Sequence, residues 1–143
     1  MIRVVRALPG SAELAACFAI RLAVFTGEQG VPAEQELDEF DDVALHILAM
    51  WNGEPAGTAR AFEKTPSLQK IGRVAVLRAF RKYGIGAAVM RAIETECPGS
   101  GFVLDAQTQA MGFYEKLGYT AEGPEFLDAG ILHRLMRKAA STL

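Results

Sequence analysis

Val74-Ala75-Val76-Leu77-Arg78-Ala79-Phe80-Arg81-Lys82-Tyr83-Gly84-Ile85-Gly86 holds the most informative change of pattern in the chain. An apolar run of strand character ends, a basic loop follows, and two glycines open a helix. Ile85, Val89, Ala92 and Ile93 recur at helical spacing, which predicts a helix over residues 84–97 that Pro98-Gly99 stops. The first amides of such a helix lack intrahelical acceptors and carry the positive end of its dipole. Glycine admits a ligand close to the backbone, so a phosphate or pyrophosphate could sit there with Arg81 and Lys82 adding charge. The glycines alone fit an ordinary tight turn equally well. No Lys-Ser/Thr pair follows Gly86, which excludes a Walker A loop, and Val89 occupies the third glycine position of a dinucleotide fingerprint.

Upstream, residues 2–8 read as a first strand stopped by Pro9-Gly10. Ser11 is a candidate N-cap for a helix whose apolar face runs through Leu14, Cys17, Phe18, Leu22 and Phe25. From 26 to 42 the pattern breaks into a loop with one short helical turn and a dense acidic stretch: Glu34, Glu36, Asp38, Glu39, Asp41 and Asp42. Its first reading is a solvated loop, its second a surface that attracts cationic molecules such as polyamines or basic peptides. Residues 44–51 and 56–63 are predicted strands joined at the hairpin dipeptide Asn52-Gly53, and a polar connection over 64–69 leads to a strand at 70–77. Downstream come a short strand at 102–106 and a helix over 107–117 with Ala110, Phe113, Tyr114 and Leu117 on one face. Closing strands are read at 119–121 and 131–137. The order β-α-β-β-β-α-β-α-β-β predicts an α/β fold with a mixed central sheet flanked by helices.

Bulk properties narrow the class. A length of 143 residues suits one domain, 1–143, and half of the residues are hydrophobic, a globular proportion. A formal charge of -2 gives no reason to expect nucleic acid as a partner. No apolar stretch is long enough to span a bilayer, and Met1-Ile2-Arg3 leads into a strand, not a signal peptide. Cys17 and Cys97 form no CxxC pair and no cluster with histidine, so no metal is expected and a reducing cytoplasm is. The apolar C-terminal strands leave a sheet edge on which a homodimer could form.

Arg81-Lys82-Tyr83-Gly84-Ile85-Gly86 resembles the Arg/Gln-x-x-Gly-x-Gly/Ala motif of GNAT acetyltransferases, in the strand-to-helix position that family requires. Ala106-Gln107 and Ala110-x-x-Phe113-Tyr114-Glu115-Lys116-Leu117-Gly118-Tyr119 resemble its second CoA-side motif. Arg21-x-x-Val24-Phe25-x-x-Glu28-Gln29-Gly30-Val31-Pro32, Asp38-x-x-Asp41, Ala44-x-His46 and Gly130-Ile131-x-His133 resemble the ElaA/YjcF-like branch, and the ordered set covers nearly the whole chain.

The resemblance implies a single-domain GNAT fold and acetyl-CoA as co-substrate, with a small-molecule or peptide amine attacking the thioester directly. Arg81, Lys82, Gly84, Ile85, Gly86 and Ala87 would bind the pyrophosphate; Val74, Ala75 and Val76 would bind the pantetheine arm and thioester carbonyl. Gln107, Phe113, Tyr114 and Lys116 would complete the CoA side, with Tyr114 as general acid for the departing thiolate. Periodicity by itself makes Tyr114 a core residue. Many members carry a glutamate just before the Val-Ala-Val-like segment; here Ile71-Gly72-Arg73 supplies none. Glu28, His46 and His133 are the candidate bases, with Glu28 first. A non-catalytic acyl-CoA-binding sensor or partner module is the main alternative. A nucleotide-binding or structural α/β domain is the third.

Overall fold

A computed structural model gives the fold and describes residues 1–141. Seven strands form one sheet: β1 Ile2–Arg6, β2 Leu45–Trp51, β3 Glu54–Thr65, β4 Leu68–Val76, β5 Gly101–Gln107, β6 Thr120–Asp128 and β7 Ile131–Lys138. Their spatial order is β1-β2-β3-β4-β5-β7-β6. Every neighbouring pair is antiparallel except β4–β5, which is parallel because the helix α3 (Ile85–Glu96) carries the chain across between them. This is the mixed α/β sheet expected from the element order.

Period-2 alternation sends side chains to two separate cores. Ile47 and Ala49 of β2, Ala59 and Ala61 of β3, Ile71, Leu104 and Met136 pack against Ile85, Val89, Met90 and Ile93 of α3. Those four helix side chains are each at most 1 % exposed. Burying an aliphatic side chain contributes about 1.5–3 kcal/mol, so this stripe seats α3 firmly. Leu48 points the other way, toward Ala7, Ala75 and Cys17, Ile20 and Val24 of the first helical segment. That segment begins as α1 (Ala12–Arg21), with the Ser11 hydroxyl accepting from the Leu14 amide as its N-cap. It then widens into a π-helical stretch over Leu22–Glu28 instead of ending in a loop.

The remaining differences from the predicted elements have local causes. The stretch at 64–69 is no free connection: β3 and β4 both run through it, and Pro66-Ser67 turns the hairpin with Ser67 at φ 63°. Asn52 and Gly53, both at positive φ, make the tight turn between β2 and β3 as expected. The helix predicted over 107–117 splits, because Gln107 still pairs with His133 as the end of β5 and a 3₁₀ turn intervenes before α4 (Met111–Lys116). β6 extends far beyond residue 121: Gly123-Pro124 lies at an irregularity between Glu122 and Phe126, which this edge strand absorbs.

Two features of β4 shape the functional face. Its pairing with β5 stops at Ile71↔Leu104, although β4 continues to Val76 and β5 to Gln107. At the same place β4 carries one extra residue relative to β3: Thr58 faces Ala75 while Arg60 faces Gly72. Arg73, at φ 52°, is the residue that bulges. The strands therefore part, and a gap opens in the middle of the sheet.

Candidate active site

The gap is the floor of a cleft of about 950 Å³, bounded on one side by Val74, Ala75 and Val76 and on the other by Asp105 and Gln107. The loop after β4 and the start of α3 form one wall. Gly84, at φ 82°, precedes α3 without any side-chain cap, and the first helical bond runs from the Ala88 amide to the Gly84 carbonyl. The amides of Ile85, Gly86 and Ala87 are thus left for an external acceptor, beside Arg81 and Lys82. Arg81 also braces the loop, its Nε donating to the Val76 carbonyl at 3.0 Å. Gly86 matters for packing as well. A Cβ there would lie 3.1 Å from the Phe113 ring, so its lack of a side chain lets α3 and α4 approach.

Tyr114 lies on α4 and is only 8 % exposed, yet it lines the cleft. Its ring stacks edge-on with Phe113 and Tyr119. The hydroxyl has no partner among the described residues and is not sealed from solvent. Burial pushes its pKa up to about 12, so it stays protonated through the neutral range. Tyr119 differs: its hydroxyl donates to Glu94 Oε2 at 2.7 Å, a core tyrosine with a satisfied polar end.

The candidate bases fall in three different places. His133 lines the cleft near the start of β7, opposite Gln107 at the end of β5. Its Nδ1 lies 2.7 Å from the Ile131 carbonyl. A carbonyl only accepts, so Nδ1 carries the proton in the neutral ring and the Nε2 lone pair stays available. His46 is not brought to the cleft: it is buried under Phe18, with Nε2 2.9 Å from the Asp41 carbonyl. Glu28 stands outside the cleft lining and is tied to Arg81 at 2.9 Å and Arg78 at 3.4 Å. Burial would raise its pKa, but the hydrogen bonds and charges of Arg81 and Arg78 prevail and lower it, which makes it a weaker base. Gln107 is at the cleft, where its amide pairs with that of Gln29 at 2.8 Å; Phe113 lines the cleft too, whereas Lys116 is exposed away from it.

The acidic stretch is not a solvated loop. Its α2 turn (Ala33–Glu36) and the 3₁₀ turn Glu39–Asp42 direct Glu36, Asp38 and Asp41 inward onto three arginines. Arg21, 1 % exposed, binds Glu36 Oε1 and Asp41 Oδ1, each at 2.7 Å. Arg60 binds Asp38 Oδ1 at 2.6 Å and Asp41 Oδ1 at 2.8 Å; Arg73 reaches Glu36 Oε1 and Asp38 Oδ2, each at 3.2 Å. Burial would raise the Asp41 carboxyl, but hydrogen bonds from Arg21, the Asp38 amide and Arg60 hold it far below the usual carboxylate range. Three cations thus meet three carboxylates beside the cleft. Other lining groups that sequence reasoning missed are the stacked rings of Phe40 and Phe62, 4.3 Å apart, and the Lys70–Asp105 ion pair at 2.8 Å. Among the described residues no cluster of His, Cys, Asp and Glu is placed to hold a metal ion, and no helix is long and apolar enough to cross a membrane.

Comparison with known proteins bears on the family and the fold. A family model described as Acetyltransferase (GNAT) domain matches residues 15–140. The uncharacterised N-acetyltransferase YjcF of Bacillus subtilis (strain 168) is 41 % identical over 130 residues, covering 88 % of this chain and 92 % of that one. The crystal structure of Escherichia coli ElaA superposes with a TM-score of 0.84 at 28 % identity, covering 96 % of this chain and 99 % of the other. An acyl-CoA N-acyltransferase from Pseudomonas aeruginosa superposes with a TM-score of 0.81 at 27 % identity, covering 97 % and 99 %.

Proposed function

The chain belongs to the GNAT acetyltransferase family, in its ElaA/YjcF-like branch, and from that premise we propose that residues 1–143 act as one domain that carries an acetyl group from acetyl-CoA to an amine. The observation that carries the reading is the gap between β4 and β5, which opens onto the uncapped first turn of α3 on one side and the unpartnered Tyr114 hydroxyl on the other.

On this reading the amides of Ile85, Gly86 and Ala87, with Arg81 and Lys82, hold the pyrophosphate. The backbone of 74–76, no longer paired with β5, hydrogen-bonds the pantetheine arm and polarises the thioester carbonyl as negative charge develops on its oxygen. His133 Nε2 accepts the proton that the attacking amine loses. Tyr114 donates its own to the departing thiolate, which requires a phenol that is neutral at working pH. The acceptor is a small-molecule or peptide amine that enters beside Phe40, Phe62 and the Lys70–Asp105 pair. A non-catalytic acyl-CoA binder would have no use for either Tyr114 or His133. The two free cysteines, Cys17 and Cys97, suit a reducing cytoplasm as the working compartment.

The test has two stages. Acetyl-CoA is titrated calorimetrically into the purified protein, and thiol release from acetyl-CoA is then followed with spermidine, kanamycin and a lysine-containing peptide. Saturable binding followed by amine-dependent thiol release is expected. Absence of binding would return Gly84 and Gly86 to being turn residues.

A further inference from the structure

The bulge that opens the cleft is held by a side chain, and that side chain is Arg73. A bulged strand residue at φ 52° belongs to the region that favours glycine, yet this position carries an arginine. Its guanidinium leaves the sheet for the 35–41 segment. Nε donates to the Glu36 carbonyl at 3.1 Å, and Nη2 reaches Asp38 Oδ2 at 3.2 Å and the Gln35 carbonyl at 3.5 Å. The Glu36 carboxylate, 3.2 Å from Nε, completes the cage. The acids themselves do not move freely: Arg21 fixes Glu36 and Asp41, and Arg60, on the strand facing the bulge, fixes Asp38 and Asp41.

We propose that Arg73 is a positioning residue: clamped by Glu36 and Asp38, it holds the β4 bulge and so aims the 74–76 backbone into the cleft. The proposal rests on the donor-site reading above. Geometry supports it at both ends of the clamp. Ile71 is the last residue of β4 to pair with β5, Gly72 and Arg73 follow, and Val74, Ala75 and Val76 line the cleft beyond. At the other end, Gln35, Glu36, Asp38 and Phe40 line the acceptor side of the same cleft. One guanidinium therefore ties the thioester-binding strand to the acceptor-side loop. Glycine at this position would accept the backbone conformation more readily than arginine does; what arginine adds is the tether.

That contrast supplies the experiment. Arg73→Gly keeps the φ and removes the clamp, while Arg73→Lys keeps a charge that can reach Asp38. Hydrogen exchange is read by mass spectrometry on two segments, 73–77 and 84–88, with and without acetyl-CoA. In the wild type acetyl-CoA should slow exchange in both. In Arg73→Gly, protection of 73–77 should fall about tenfold while 84–88 stays protected, because the pyrophosphate loop does not touch the clamp. Arg73→Lys should recover part of the loss. Unchanged protection of 73–77 in Arg73→Gly would overturn the proposal, and equal loss in both segments would reduce Arg73 to a general stabiliser and overturn it as well. Absence of acetyl-CoA binding by the wild type overturns the donor-site reading and this proposal with it, whereas wild-type binding with an unaltered variant overturns this proposal alone.

Discussion

Arg21→Met is the perturbation that most directly tests the buried charge network. Arg21 sits on the buried face of α1, with its guanidinium over the Phe18 ring at 5.2 Å and bonds to the Glu36 carboxylate, the Glu36 carbonyl and both Asp41 oxygens. Methionine retains most of the aliphatic stem, so the loss comes chiefly from uncompensated carboxylates. Removing one partner of a buried ion pair costs about 3–5 kcal/mol. Arg60 still holds Asp41 and Arg73 still reaches Glu36, which points to the lower end, about 3–4 kcal/mol. For a chain of this size that corresponds to a fall in Tm of about 10–15 °C.

Urea unfolding at several pH values separates lost charge pairing from lost packing. The folded-state pKa of Asp41 is depressed, so its contribution is fully present above the unfolded carboxylate value near 4 and is lost as pH falls toward the folded value. The gap between wild type and Arg21→Met should therefore be constant from about pH 8 to 5 and narrow below about 4. A double-mutant cycle with Glu36→Gln should return a coupling above about 1 kcal/mol. A penalty under about 1 kcal/mol at pH 7, or one that stays undiminished at pH 3.5, would refute the reasoning.

Three further outcomes follow from the site. Tyr114→Phe should lower kcat about 10²-fold while the acetyl-CoA dissociation constant, read by calorimetry, changes little; an unchanged kcat removes Tyr114 from the mechanism. His133→Gln should also lower kcat about 10²-fold at pH 7, and the defect should shrink toward pH 10, where an alkyl ammonium acceptor loses its proton unaided. A defect that is the same at both pH values assigns His133 to structure alone. Gly57→Ala should destabilise by about 1–3 kcal/mol through overpacking, since its Cβ would lie 2.5 Å from Ile85 Cγ2 and 3.2 Å from the Ala75 carbonyl; thermal melts in the presence and absence of acetyl-CoA check it.

The half of the cleft proposed to take the donor is legible in the sequence because its signals are local. A strand, a basic loop and an uncapped glycine-led helix follow one another within residues 74–87, and backbone amides at a helix start do not depend on distant partners. Tyr114 was legible only through its motif. Periodicity puts it on the buried face of α4, and it is buried; what marks it out is a hydroxyl without a partner, a property of its neighbours, not of its spacing. Glu28 depends on distant partners instead. Its position in a loop beside the cleft suggested a base, but Arg78 and Arg81, fifty residues downstream, claim its carboxylate.

The acidic stretch departs from the solvated loop its sequence suggests because a charge run says nothing about where its countercharges lie, yet one signal is present. Arg21 falls on the same helical stripe as Leu14, Cys17 and Phe18, and Arg60 interrupts the small apolar run of β3 between Ala59 and Ala61. A cation on a core-facing stripe cannot be buried alone, since the desolvation penalty of a lone ion is several kcal/mol after relaxation, about what a well-made pair recovers. Each such arginine therefore demands carboxylates, and the dense supply at 34–42 is the nearest answer the chain offers. Arg73 obeys the same rule, sitting in a strand next to a glycine where the chain must bulge. Three out-of-place arginines and one acidic segment are two halves of the same structure. Neither half is readable without the other, and together they fix the 35–41 segment against the strand that opens the cleft.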